Sequence, residues 1–178
     1  MPQIELETLT EQELDAFLQL LPTMSDREKR DFLEKLDRYE KVKDVELSKS
    51  NFLHFVQKVW PTFIHGAHHA RMARAFERVA RGEIKRLIIN MPPRHTKSEF
   101  ASYLLPAWFL GNFPAKKVIQ TSHTAELAVG FGRKVRNLVD KEEYHKVFEG
   151  VELQADSKAA GRWSTNAGGE YFAIGVVS

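Results

Sequence analysis

Residues 86–99 carry the sequence RLIINMPPRHTKSE, in which a short apolar run leads into a proline-rich turn that ends at a lysine, a serine and a glutamate. Three consecutive apolar side chains, Leu87–Ile89, are typical of a strand that is buried on both faces of a parallel sheet. The segment that follows the turn is typical of a helix. The stretch therefore predicts a strand, a loop and a helix in succession.

This succession is a place where an α/β protein can hold a phosphate group. Backbone N–H groups of the turn and the positive end of the helix dipole attract phosphate, while a lysine neutralises the outer phosphates and a hydroxyl binds magnesium. Lys97 and Ser98 have the residue types and order for these two roles, so ATP and Mg²⁺ are the predicted cofactors, with Ser98 as the metal ligand. The pattern G-x-x-x-x-G-K-[ST] is matched imperfectly, because Met91 and Thr96 stand at the glycine positions and a β-branched residue restricts the backbone. The alternative is a proline-rich turn before an ordinary helix.

The downstream sequence predicts how the sheet continues. Val118-Ile119 begins a second buried strand, and residues 126–140 have the apolar spacing of a helix. This alternation of strands and helices predicts an α/β fold with a mostly parallel sheet that is flanked by helices. Residues 162–174 predict a β-hairpin around the sequence Asn166-Ala167-Gly168-Gly169. Two further amphipathic helices are predicted upstream of the loop, over residues 52–60 and 67–81.

The N-terminal residues 1–46 predict a separate, acidic helical hairpin. Thr10 with Glu13, and Ser25 with Glu28, have the spacing of helix-capping pairs, and the second helix is predicted to end at about Lys43. Residues 1–50 hold 13 acidic and 8 basic side chains. The hairpin either packs on the rest of the chain, residues 47–178, or recruits a partner protein.

Composition excludes several functional classes. The chain of 178 residues has no cysteine, which excludes disulfides, thiolate zinc sites and cysteine nucleophiles, and fits a reducing compartment. An apolar run near 18 residues and the pattern of a signal peptide are both missing, so neither membrane insertion nor export is expected and the cytoplasm is the predicted location. Residues 51–178 hold 18 basic and 11 acidic side chains, an excess that can attract a polyanion such as DNA but is also common on other proteins.

The loop and its surroundings resemble the large terminase subunit of tailed bacteriophages, the ATPase that drives DNA into the capsid. The matching segments are Met91–Glu99, and around it Phe55–Pro61, His68–His69, Tyr103–Trp108, Thr121–His123 and Phe131–Arg136. The resemblance covers roughly residues 50–178. It implies a P-loop ATPase that couples ATP hydrolysis to translocation of double-stranded DNA in the host cell cytoplasm. It also implies a portal protein, a small terminase subunit and further copies of the chain, in a ring on the portal, as partners.

The resemblance also implies roles for individual residues. Those that hold the cofactor are expected to be His69, Pro93, Arg94, His95, Thr96, Lys97, Ser98 and Glu99. Lys97 and Arg94 are the expected catalytic groups on the nucleotide's own subunit, Arg94 by stabilising charge on the γ-phosphate. Arg133, with Arg136 three residues on, is the candidate for an arginine that reaches a neighbour's nucleotide; its alternatives are contact with DNA phosphate and plain surface charge. An imidazole at His69, or at His68, could bond the adenine edge, or the pair could simply begin a helix.

Members of this family continue past the matching region into a strand that ends in two acidic residues and then into a nuclease domain. The acidic pair completes the binding of magnesium and orients the attacking water. Residues 1–178 contain neither part, so we expect an incomplete sheet and a chain that binds ATP weakly and does not turn it over alone. Two other functions stay open: a helicase-like P-loop ATPase, and an assembly module whose loop no longer hydrolyses nucleotide. The resemblance also implies that Ser122 and His123 lie near nucleotide or DNA; the alternative for Ser122 is to cap the next helix.

Overall fold

The computed structural model describes residue 19 and residues 21–176, without the side chains of residues 157 and 158. The chain divides into two units between Glu46 and Leu47. The first helix of the predicted N-terminal hairpin lies outside the described residues. Within the described ranges, no helix combines the length and the apolar character that crossing a membrane requires.

The described part of the first unit is a short 3₁₀ turn, Leu21–Thr23, and most of a long helix, α1, Asp26–Ser50. The predicted capping pair is confirmed: the Ser25 amide donates to the Glu28 carboxylate at 2.9 Å, and the Glu28 amide donates to the Ser25 hydroxyl at 3.4 Å. The helix runs past the predicted end at Lys43, because no proline or glycine interrupts it there. Asn51 ends it by capping the next helix, where its side chain accepts a hydrogen bond from the His54 amide.

The second unit contains four predicted helices, of which the one after the loop is partly π-helical, and a short final helix that the sequence did not predict. They are α2 (Phe52–Val59), α3 (Ala67–Ala80), a π-helical segment (Glu99–Leu104) that continues into α4 (Leu105–Asn112), α5 (Ala125–Val139) and α6 (Glu142–His145). The predictions for α2, α3 and α5 are confirmed to within one residue at each end. Gly82 follows α3 with a φ of 78°, a left-handed conformation that terminates the helix.

The sheet has four strands in the described chain, and it is mixed. The strands are β1 (Lys117–Ser122), β2 (Leu153–Lys158), β3 (Arg162–Thr165) and β4 (Glu170–Gly175), in the spatial order β1-β4-β3-β2. Only β1 and β4 pair in parallel; β3 is antiparallel to both of its neighbours. The predicted β3–β4 hairpin is confirmed, and the α/β class with it, but the prediction of a mostly parallel sheet is wrong.

The other correction concerns the apolar run before the loop. Leu87–Ile89 forms no strand: the segment is unpaired, Ile88 is 85% exposed, and Ile89 is half-buried and packs against the core. An apolar run reports a preference for burial, but a strand also needs a neighbour to accept its backbone hydrogen bonds. Within residues 21–176 no strand lies beside this segment.

The core that positions the loop is built around Phe52. Its ring meets Phe76, Phe100 and Trp108 edge to face, at centroid distances of 5.4, 5.6 and 5.6 Å. These partners lie on α3, the π-helical segment and α4, so one buried ring links the elements on both sides of the loop. The Phe52 amide also donates to the Glu77 carboxylate of α3 at 2.9 Å.

Helix α5 packs across β4 and β1 and covers one face of the sheet. Gly132 allows this close approach, because a Cβ there would lie 2.5 Å from the Ala160 carbonyl oxygen and 3.1 Å from the Tyr171 ring. The opposite face is open in the described chain and carries three exposed apolar side chains, Ile119, Phe172 and Ile174.

Candidate phosphate-binding site

The segment from Met91 to Thr96 forms a tight loop directly before a helix. Arg94 and Thr96 have φ values of 64° and 55°, and they are the only non-glycine residues with positive φ in the described chain. This left-handed region is ordinary for glycine and unfavourable for a β-branched residue. Thr96 stands where the phosphate-loop pattern has its second glycine, and its backbone has the conformation that glycine adopts freely.

A helix begins immediately after Thr96 and runs without a break to Asn112. Its first backbone hydrogen bond is donated by the Phe100 amide to the Thr96 carbonyl, at 3.0 Å. The amides that precede Phe100 in this turn therefore have no carbonyl inside the helix to bond. Their N–H groups and the helix dipole make the loop side of this turn favourable for an anion.

The π-helical segment has a local cause in Pro106. A proline has no N–H to donate and its ring crowds the preceding turn, so a regular α-helix is disfavoured before it. The backbone widens instead, and the Leu105 amide bonds to the Phe100 carbonyl five residues earlier. Wide turns of this kind occur often at functional sites.

Lys97 and Ser98 lie on the first turn of this helix. Lys97 is half-buried, and its ammonium donates to the Met91 carbonyl at 3.4 Å, so the side chain spans the loop. Ser98 is exposed. Arg94, His95 and Pro93 are exposed on the loop, and a His95 ring nitrogen, Nδ1, donates to the Pro93 carbonyl at 2.9 Å.

His69 contacts the loop from α3. Its Nδ1 accepts a hydrogen bond from the Gly66 amide at 2.9 Å, and its Nε2 lies 2.5 Å from the Thr96 hydroxyl oxygen. The ring is 5% exposed, and burial lowers its pKa, with a further contribution from the neighbouring His68, His65 and His95. Both ring nitrogens are thus engaged within the chain, and in this arrangement neither is offered to adenine. His68 is exposed beside it.

Glu99 is held by a residue that the sequence did not point to. Its carboxylate bonds the Lys134 ammonium of α5 at 2.8 Å. The two residues are 35 positions apart and no local pattern connects them. Beside Lys134 lies an open pocket of about 470 Å³, which His123, Leu127 and Phe131 also line.

The remaining predicted residues lie on or near α5. Arg133 is exposed on that helix, whereas the Arg136 guanidinium bonds the Asn137 side chain at 2.9 Å. His123 is exposed just after β1. Ser122 is not the cap of α5; that role belongs to Thr124, whose hydroxyl accepts from the Leu127 amide at 3.3 Å.

No group of three or more His, Asp or Glu side chains is arranged to hold a metal ion among the described residues. The exposed Ser98 hydroxyl is a side-chain oxygen of this turn that could bind magnesium. A scan against protein-family models, a search of curated proteins and a search of solved structures each give no match to the chain.

Proposed function

We propose that this chain is the ATP-binding part of a P-loop ATPase of the large terminase type, a motor that moves double-stranded DNA into a viral capsid. The observation that carries the proposal is the left-handed backbone of Thr96, directly before Lys97 and the helix start. An ordinary proline-rich turn has no reason to keep a β-branched residue in that conformation. A loop that must turn its amides toward a phosphate does.

The charges of the loop suit a triphosphate. Lys97 would neutralise the outer phosphates, and its contact with the Met91 carbonyl already holds the ammonium across the loop. Arg94 is exposed on the same loop, where its guanidinium would stabilise charge that develops on the γ-phosphate. Magnesium, once bound with Ser98 as a ligand, would supply further neutralisation of the phosphate oxygens.

We do not assign the water-activating base to a carboxylate of the described chain. Glu99 is paired with Lys134, and Glu170 is paired with Lys117 at 3.1 Å. Glu170 also begins β4 opposite Lys117, so it lies at the end of the parallel pair away from Ser122. We therefore assign the role to neither Glu99 nor Glu170; the terminase resemblance gives it to an acidic pair that follows the matching region.

The packaging part of the proposal rests on the resemblance and on charge. The matching segments extend well beyond the loop, and residues 51–178 carry an excess of basic side chains. DNA, the portal protein, the small terminase subunit and a ring of copies are the partners that follow from it. Arg133, exposed on α5, is then the residue we assign to a neighbouring subunit's nucleotide.

The proposal is tested by calorimetric titration of the chain with ATP and magnesium. Lys97→Ala should abolish measurable binding and leave the unfolding temperature close to the parent's, because the half-buried side chain is outside the hydrophobic core. Lys141→Ala is the matched control, since it removes the same charge from an exposed position before α6. Equal affinities in the parent and in Lys97→Ala would refute the phosphate-loop assignment.

A further inference from the structure

The backbone conformation of Thr96 requires stabilising contacts. Its φ of 55° lies in the left-handed region, where a β-branched side chain crowds the backbone. A residue of this type stays there only when its surroundings fix it. The structure contains a set of hydrogen bonds that does so.

Three hydrogen bonds run in one direction through His69 to the loop. The Gly66 amide donates to His69 Nδ1 at 2.9 Å, so the neutral ring carries its proton on Nε2. That N–H donates to the Thr96 hydroxyl, which in turn donates to the His95 carbonyl at 2.7 Å. The hydroxyl is thereby fixed from both sides, and the backbone that carries it is fixed as well.

The position of the His69 ring is itself set by packing. The ring packs against both Phe63 and Phe100, at centroid distances of 4.8 and 4.9 Å. Phe100 belongs to the π-helical segment that begins just after the loop, and Gly66 directly precedes α3. These contacts favour one position of the His69 ring and so restrict where its Nε2 can meet the loop.

We propose that His69 is a positioning residue for the phosphate loop: through the Thr96 hydroxyl it holds the backbone in the conformation that other phosphate loops obtain from glycine. The inference rests on the proposed function, because it takes this loop as the nucleotide site. It replaces adenine contact as the role of His69. Gly66, His69 and Thr96 act as one unit, and His69 matters only while a threonine occupies position 96.

The test is a double-mutant cycle with His69→Phe and Thr96→Gly. Phenylalanine keeps an aromatic ring against Phe63 and Phe100 but has no ring nitrogen. Binding of ATP and of inorganic triphosphate, both with magnesium, is measured by calorimetry for the parent, the two single variants and the double variant. His145→Phe makes the same exchange on α6 as a control.

We expect His69→Phe to weaken the binding of both ligands equally, by about 5- to 10-fold, the factor that corresponds to losing its one hydrogen bond to the loop. In the Thr96→Gly background the same exchange should change affinity by less than about 2-fold, because glycine adopts positive φ unaided. Thr96→Gly alone should bind as well as the parent or better. His69→Gln, whose side-chain amide can donate near the position of Nε2, should recover part of the lost affinity.

Two results would overturn the positioning role. Loss of affinity for ATP but not for triphosphate, unchanged by Thr96→Gly, would assign His69 to adenine. Equal loss in both backgrounds would mean that the ring acts only as part of the core.

Thermal unfolding without ligand keeps this inference separable from the proposed function. If His69 holds Thr96, the effects of the two substitutions on unfolding temperature are not additive. If the parent binds nucleotide and the two effects on unfolding temperature are additive, the positioning role is overturned and the proposed function is not. A parent that binds neither ligand would overturn the proposed function, whatever the unfolding temperatures show.

Discussion

The turn of the β3–β4 hairpin offers two adjacent glycines with different physical roles. A Cβ on Gly169 would lie 2.2 Å from the Pro114 carbonyl oxygen and 2.7 Å from that of Lys116, both on the chain that leads into β1. Gly168 has a φ of 83° and open space around its Cα. Alanine at position 169 therefore tests a steric contact, whereas alanine at position 168 tests backbone conformation alone.

The two costs can be worked out separately. Overpacking costs about 1–3 kcal/mol, and a carbonyl of the main chain cannot rotate away as a side chain can, so Gly169→Ala should lie near the upper end. Moving the hairpin also weakens the bonds from the Thr165 hydroxyl to Pro114 and from the Glu170 amide to Lys116, at about 1 kcal/mol each. Alanine also stiffens the unfolded chain, which offsets a small part of these costs. The free energy of unfolding of Gly169→Ala should therefore be about 4 kcal/mol below the parent's. For Gly168→Ala the left-handed conformation costs ~1–2 kcal/mol and the stiffer unfolded chain offsets part of it, which leaves a net loss of about 1 kcal/mol.

Thermal unfolding followed by circular dichroism measures the difference. A chain of this size loses about 2–4 °C per kcal/mol, so Gly169→Ala should unfold ~8–16 °C below the parent and Gly168→Ala only ~2–4 °C below it. Equal shifts for the two variants would refute the argument that the hairpin turn is packed against the entrance of β1.

Two further predictions concern the candidate site. If the proposed function is right, Arg133→Ala in the full-length protein should lose ATPase activity and keep ATP affinity, as measured by phosphate release and by calorimetry. Normal turnover with weaker, less salt-dependent DNA binding would assign Arg133 to DNA instead. The lowered pKa of His69 means that the unfolded chain binds more protons than the folded one as pH falls through the unperturbed value of 6.5. The urea midpoint of the parent should therefore drop between about pH 7.5 and 5.5 more steeply than that of His69→Gln, and parallel curves would contradict the prediction.

The helices and the hairpin could be predicted because their signals are local. Apolar spacing and flanking residues define α2, α3 and α5, and the Gly168-Gly169 turn with alternating apolar residues defines the hairpin. The sheet could not be predicted in the same way. Leu87–Ile89 has the composition of a buried strand, but pairing depends on a neighbour that local sequence does not specify.

In the candidate site, too, features with a local signal could be predicted and contacts between distant residues could not. The types and order of Lys97 and Ser98 identified the loop, and the glycine position identified Thr96 as the unusual residue. The partner of Thr96 is 27 residues away, and that of Glu99 is 35 residues away, so neither contact has a local signal. The sequence pointed to His69 as a residue that contacts adenine. In the structure its ring contacts the Thr96 hydroxyl instead.

The open face of the sheet affects how this protein behaves in solution. Ile119 lies on β1 and is 71% exposed, and it pairs in register with Phe172, which is 40% exposed. β1 is also an edge strand of the described sheet, so its outer backbone groups are available to another strand. An apolar face next to such an edge favours association of one chain with another as concentration rises.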